Sequence, residues 1–76
     1  MYLVMTNNRE KIIGVSDTLR SAREAGWNWL KKQYTADEWQ AILDWSEKSE
    51  EETQNEMIAG IGWEDFDMEI IEVKRV

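Results

Sequence analysis

Residues 2–15, YLVMTNNREKIIGV, predict a β-hairpin, and the rest of the fold is organised around it. Tyr2 to Thr6 and Lys11 to Val15 are rich in aromatic and β-branched residues, which favour strands. The four residues between them, Asn7-Asn8-Arg9-Glu10, are typical of a tight turn because Asn tolerates positive φ angles. A third strand can then add beside this hairpin.

A helix is predicted next, from about Thr18 to Gln33. Ser16, Asp17 and Thr18 are candidate N-caps. Apolar residues then recur at spacings of three and four, which is typical of one buried helical face: Leu19, Ala22, Gly26, Trp29 and Leu30. Glycine inside a helix costs about 1 kcal/mol relative to alanine. Either close packing against a neighbour or a short break in the helix would account for Gly26.

Residues 35–60 predict a second helix that bends or restarts near Lys48 and Ser49. Thr35-Ala36-Asp37-Glu38 has the form of a capping box, and Ser49-Glu50-Glu51-Glu52 has the same form. The inward stripe of the first part comprises Trp39, Ile42, Leu43 and Ser46. Gly60 suits the C-terminal end of the last helical piece.

Residues 67–76 predict a final strand whose alternation is imperfect. Met68 and Ile70 share one face, whereas Ile71 and Val73 share the other. Either a bulge between Ile70 and Ile71 or partial cover on both faces would explain this pattern. The whole order predicts a single α+β domain over residues 1–76. We expect a three-stranded, mainly antiparallel sheet, formed by the N-terminal hairpin and the C-terminal strand, with two to three helices packed on one face.

The composition excludes most catalytic chemistry. The 76 residues include no Cys and no His, so thiolate nucleophiles, Ser–His–Asp triads and Cys-based metal sites are ruled out. An EF-hand loop counted from Asp65 fails, because Ile70 stands where Gly is needed and Val76 where Glu is needed. Glu72-Val73-Lys74 has a superficial likeness to a nuclease motif, but the region is anionic. We therefore expect no enzyme, no cofactor and no metal.

The negative charge is concentrated in one third of the chain. Residues 47–72 carry ten Asp and Glu against Lys48 alone, whereas residues 1–46 carry six acids and six bases. Glu47 and Glu51, and Glu52 and Glu56, are four apart, so each pair would be neighbours on a helix. On a strand, Asp65, Asp67 and Glu69 would line one face. Two such rows would resemble the anion spacing of a nucleic-acid backbone. The alternative is an ordinary solvated face.

Five tryptophans form the second unusual feature. Trp29 and Trp39 fall on inward stripes and are predicted to belong to the core. Trp45 lies at the edge of its stripe, Trp63 directly precedes Glu64-Asp65, and Trp27 is off-centre on the first helix. A partly exposed Trp beside acidic residues is typical of an interface anchor. The alternative for each of these three is a Trp that covers a small core.

In size, acidity and lack of reactive groups, the chain resembles the small acidic inhibitors made by bacteriophages and mobile elements. These inhibitors include anti-CRISPR proteins and DNA-mimic anti-restriction proteins. The resemblance implies occlusion of a basic, nucleic-acid-binding site on a host protein. The expected partner-binding residues are Trp45, Glu47, Glu50, Glu51, Glu52, Glu56, Trp63, Glu64, Asp65 and Asp67.

The net charge of −7 argues against direct contact with nucleic acid, since a basic stripe is the usual footprint of such binding. No apolar run approaches the roughly 20 residues that cross a bilayer, so no membrane partner and a cytoplasmic location are expected. The alternative function is a small structural or regulatory subunit that acts by homodimerisation through exposed strand edges and spare aromatic surface.

Overall fold

The computed structural model describes residues 1–6 and 9–74 and has the predicted α+β architecture. A three-stranded antiparallel sheet has the order β2-β1-β3, and three α-helices connect its second and third strands. The elements in chain order are β1 (Tyr2–Thr6), β2 (Lys11–Ser16), α1 (Leu19–Lys32), α2 (Ala36–Ser46), α3 (Glu50–Ile58), a 3₁₀ helix (Glu64–Phe66) and β3 (Met68–Glu72).

The predicted hairpin is confirmed, and the N-terminal strand becomes the centre of the sheet. Arg9 has a φ of 73°, and the Glu10 N–H donates to the Thr6 carbonyl over 3.1 Å. Positive φ therefore falls on Arg9, while Asn7 and Asn8, the residues expected to favour it, lie outside the described residues. The final strand adds beside β1, as expected.

The bulge predicted between Ile70 and Ile71 is wrong. β3 pairs with β1 without a register shift, from Tyr2 opposite Glu72 to Thr6 opposite Met68. Ile70 and Ile71 are both half-buried, so partial cover of both faces is the correct alternative. β3 ends at Glu72, and residues 75–76 of the predicted strand lie outside the described residues.

The irregularity lies instead on the other edge of the sheet. Val4 pairs with Gly14 and Met5 with Ile12, which leaves Ile13 as an extra residue on β2. Such a bulge bends the strand and increases its twist. Ile13 packs against the core, so the bulge adds a side chain to the interior.

Helix α1 packs against the sheet, and α3 packs against α1. The buried face of α1 is formed by Ala22, Gly26, Trp27 and Leu30. This face is rotated from the predicted one: Trp27 is buried, whereas Leu19 is exposed and Trp29 is half-buried. The rotation arises because α1 has neighbours on two sides, and Trp27 meets Trp39 of α2 edge-on with ring centroids 5.6 Å apart.

The capping signals place the helix ends correctly. The Thr35 hydroxyl accepts from the Glu38 N–H, and the Glu38 carboxylate accepts from the Thr35 N–H, which completes the predicted box. Ser49 caps α3 by accepting from the Glu52 N–H over 3.1 Å. Glu47, with a φ of 58°, ends α2, so residues 36–58 form two separate helices.

The C-terminal end of α3 is fixed to α1. Gly60 has a φ of +86°, as a helix-terminating glycine requires, and Arg23 of α1 donates to the Ile58 carbonyl over 3.3 Å. The positive guanidinium is favourable there because carbonyls at a helix C-terminus carry partial negative charge.

Within residues 1–6 and 9–74, no helix combines the length and the apolar character that crossing a bilayer requires.

Candidate functional site: an apolar groove beside Trp45

A groove of about 400 Å³ lies between α2, α3 and the 3₁₀ helix. Its walls are largely aromatic and aliphatic. The large apolar side chains that line it are Tyr34, Ile42, Trp45, Met57, Ile61 and Phe66. Clefts of this size with apolar walls and a few polar groups at the margin are typical of binding sites.

Trp45 is the most exposed large apolar side chain of the described residues, with 87% of its surface accessible. It is three residues after Ile42 on the same side of α2, so both line the groove while Leu43 points into the core. Of the two alternatives that the sequence left open for Trp45, an exposed ring or a cover for the core, the exposed one holds. A side chain of this size and exposure fits the role of an interface anchor.

Ile61 also lines the groove and is 57% exposed. It follows Gly60, where the chain leaves α3, and its N–H donates to the Glu56 carbonyl over 2.8 Å. This hydrogen bond continues the helical end and fixes the position of Ile61. Together, Trp45 and Ile61 give the groove two accessible apolar walls.

The charged groups that line the groove are the Lys48 ammonium and the carboxylates of Glu56 and Asp65. Lys48 Nζ lies 2.8 Å from Glu56 Oε2. The hydrogen bond that Lys48 donates to Glu56 outweighs the opposing effect of desolvation and, with the charges of Glu56, Asp65 and Glu52, raises the pKa of Lys48 above its usual value. Two carboxylates, Glu56 and Asp65, against one ammonium leave the charged lining of the groove net negative.

The predicted rows of carboxylates form only in part. Glu52 and Glu56 share α3 as expected, but Glu47 ends α2 while Glu51 lies on α3, so that pair does not share a helix. Glu56 is moreover paired with Lys48. The helical row is therefore reduced to Glu52 and Glu56, and Lys48 neutralises the charge of Glu56.

The predicted strand row of Asp65, Asp67 and Glu69 is wrong. Asp65 lies in the 3₁₀ helix and Asp67, with a φ of 54°, ends it, so β3 contributes Glu69 alone. Glu69 accepts from Arg9 Nε over 3.0 Å. Sequence alternation could not reveal the 3₁₀ helix, because that helix is fixed by the tertiary position of Trp63.

The Glu-rich start of α3 has a structural role as well. Glu50, Glu51 and Glu52 occupy its first turn, where negative side chains offset the helix macrodipole. Glu50 Oε1 also accepts from Trp39 Nε1 over 3.0 Å and lies 2.9 Å from Lys31 Nζ. The hydrogen bond from Lys31 is the main reason that the pKa of Glu50 is lowered. Glu50 therefore joins α1, α2 and α3.

Trp63 is not the exposed anchor that the sequence predicted. It is 7% exposed, belongs to the core cluster and donates its Nε1 proton to the Met57 carbonyl over 2.9 Å. Trp27 is likewise buried. For both residues the core alternative holds, and of the three candidates Trp45 alone presents its ring to solvent.

Of the remaining predicted site residues, Asp65 lines the groove, whereas Glu64 and Glu51 border two other depressions of the surface. Within residues 1–6 and 9–74, no ion pair joins any of Glu47, Glu51, Glu52, Glu64, Asp65 and Asp67, and all six are exposed. The sequence prediction missed the aromatic walls Tyr34 and Phe66. Phe66 directly follows Asp65, a predicted site residue, and this position in the sequence could have identified it as part of the site.

No group of three or more metal-ligating side chains exists among the described residues. The chain matches no family model, no curated protein and no solved structure.

Proposed function

We propose that this chain is a non-enzymatic binding protein that inhibits a host protein by docking on its basic, nucleic-acid-binding surface. The observation that carries the proposal is the position of Trp45, which stands 87% exposed over an apolar groove whose margin is negative. The proposal retains the kind of action implied by the resemblance to phage anti-defence inhibitors. It places the contact on the groove instead of on parallel rows of carboxylates.

Binding would divide between two physical effects. The unpaired carboxylates on residues 47–67 attract a Lys/Arg-rich surface over a long range and accelerate encounter. Trp45 and Ile61 then bury apolar surface, which slows dissociation. A partner that fits presents basic residues around an apolar projection able to enter the groove.

The ion pairs limit how far the surface can imitate a polyanion. Glu50, Glu56 and Glu69 each lie within 3.0 Å of a Lys or Arg nitrogen. The anchor should therefore carry more of the affinity than in a mimic built of charge alone. Raising the salt from about 50 to 200 mM should weaken binding, because exposed charges are screened, without abolishing it.

The decisive experiment uses a basic host protein captured by the immobilised chain and then purified. Its binding to its own nucleic acid is measured by fluorescence anisotropy as the chain is added. Wild type should displace the nucleic acid. Trp45→Ala should weaken displacement about 30-fold, the loss that a hot spot of about 2 kcal/mol produces.

A charge-matched pair of variants provides the control. Asp65→Asn removes a carboxylate that lines the groove, whereas Glu10→Gln removes one from the hairpin turn. Asp65→Asn should weaken displacement and Glu10→Gln should not. The proposal fails if the captured protein keeps its nucleic acid while the chain is bound, or if Trp45→Ala displaces it as well as wild type.

A further inference from the structure

Among residues 1–6 and 9–74, no helix covers one apolar face of the sheet. Side chains alternate along β1, so Val4, which is fully buried, faces α1 while Leu3 and Met5 face the opposite way. Register places Val15 and Ile71 on either side of Leu3, and Ile12 beside Met5. None of these five side chains belongs to the core cluster beneath the helices.

The edge strand makes this face accessible. Ile12 is 55% exposed and Val15 is 58% exposed. Met5, on the central strand, is 8% exposed and lies outside the helix-side core. An antiparallel sheet with one solvated face usually places polar residues there, so a face with five apolar side chains is the exception.

The charges on this face identify the occupant that fits. Arg9, in the β1–β2 turn, pairs with Glu69 of β3, so the ion pair crosses β1 beside Met5. The face therefore carries both signs in balance. A two-fold related copy could bring the arginine of one chain to the glutamate of the other, as a self-complementary interface requires.

The rest of the surface restricts where two copies can meet. Each chain has a net charge of −7, which arises from residues 47–72. Contact between two groove surfaces would bring like charges together. The open sheet face lies on the side of β1 away from α1, and the acidic residue that register places on it, Glu69, is already paired with Arg9.

We propose that the chain forms a homodimer in which the open sheet faces of two copies pack against each other. Stacked sheets lie about 10 Å apart with their inner side chains interdigitated. The two grooves would then point outward, available to two sites on a partner. This inference is independent of the proposed function, because it uses the opposite face of the molecule.

The test is sedimentation equilibrium of the full chain from micromolar to millimolar concentration. Wild type should be dimeric in the upper part of this range. The double variants Ile12→Lys/Val15→Lys and Ile12→Glu/Val15→Glu should each be monomeric, since each buries like charges in the interface. An equimolar mixture of the two should again form dimers, because opposite charges then face each other.

Two further variants serve as controls. Ile12→Thr/Val15→Thr keeps β-branched residues on β2 and should weaken the dimer without unfolding the chain, which circular dichroism verifies. Trp45→Ala should leave the dimer intact. A wild type that stays monomeric at millimolar concentration, a dimer that survives both charged variants, or a dimer lost in Trp45→Ala would each overturn the proposal.

Discussion

Gly26 of α1 and the indole of Trp63 are in direct contact: a Cβ on Gly26 would overlap Cη2 of Trp63 and lie 2.8 Å from Cζ3. The same indole donates its Nε1 proton to the Met57 carbonyl at the end of α3. Trp63 thus joins α1 to the end of α3 and holds the chain that continues into the 3₁₀ helix. The groove walls at Ile61 and Phe66 depend on this contact for their position.

Gly26→Ala should destabilise the protein. Alanine would gain about 1 kcal/mol of helix propensity, but overpacking a tight core costs about 1–3 kcal/mol. Because the overlap is with a rigid ring, the loss should exceed the gain, and the urea midpoint should fall. Gly14→Ala is the matched control, since its Cβ would meet Ala25 at an ordinary 3.6 Å.

The Gly26–Trp63 contact can be separated from other effects by a double-mutant cycle. Trp63→Leu removes the ring and should be destabilising by itself. In that background Gly26→Ala should cost less than in wild type, because the overlap is gone. Additive losses in the double variant, or a stabilising Gly26→Ala, would show that the contact is not as close as described.

Thr6→Val should stabilise the protein. The Thr6 hydroxyl is buried and makes no hydrogen bond in the described part of the chain. An unsatisfied buried hydroxyl costs about 1–3 kcal/mol, and valine has nearly the same shape. We expect a higher urea midpoint with an unchanged slope. Thr53→Val is the contrasting variant, because the Thr53 hydroxyl donates to the Ser49 carbonyl and its loss should destabilise.

The sequence predicted most of the elements because their signals are local. Strand propensity, the Thr35 box and Gly60 are read within a few residues, and each stands where it was expected. The position of Trp63 depends on a contact with Gly26, 37 positions earlier in the chain, and no local pattern reveals it.

The candidate site was predictable only in part for the same reason. Trp45 is exposed because of its angle on one helix, which spacing shows. The pairing of Glu50 with Lys31 and of Glu69 with Arg9 depends on packing between distant segments. Counting charges along residues 47–72 therefore overstated the charge available to a partner.

Stability should decrease in acid partly through Glu50. Lys31 and Trp39 lower the pKa of this carboxyl below its ordinary value of 4.5. Its contribution to stability is therefore present above pH 4.5 and is lost as the pH falls through the lowered pKa of the folded state. The difference in urea midpoint between wild type and Glu50→Gln should shrink as the pH falls below 4.5.

Glu38 provides a second test of the same linkage. Its hydrogen bonds to the Thr35 backbone and side chain lower the pKa of its carboxyl, so its contribution has the same sign. In the double variant Glu38→Gln/Glu50→Gln, the urea midpoint should fall less steeply with decreasing pH than in either single variant. Glu10→Gln, a carboxylate of the hairpin turn, is the control. If the urea midpoint of the double variant falls as steeply in acid, the two carboxyls do not contribute to the acid dependence of stability.

Fluorescence quenching should distinguish Trp45 from the other tryptophans and report the charge around it. Trp45 is 87% exposed, whereas Trp27, Trp39 and Trp63 are each at most 9% exposed. Acrylamide should therefore quench a component of the emission that is missing in Trp45→Phe.

Because Glu56 and Asp65 line the same groove, caesium ions should quench that component more efficiently than iodide at low ionic strength. Added salt should reduce the difference between the two ions, since the carboxylates are exposed to solvent. Replacing Asp65 by Asn should reduce the difference as well, whereas Glu10→Gln should leave it unchanged. Equal quenching by both ions at low salt would show that the groove margin is not negative, and the electrostatic half of the proposed docking would then be lost while the apolar anchor remained.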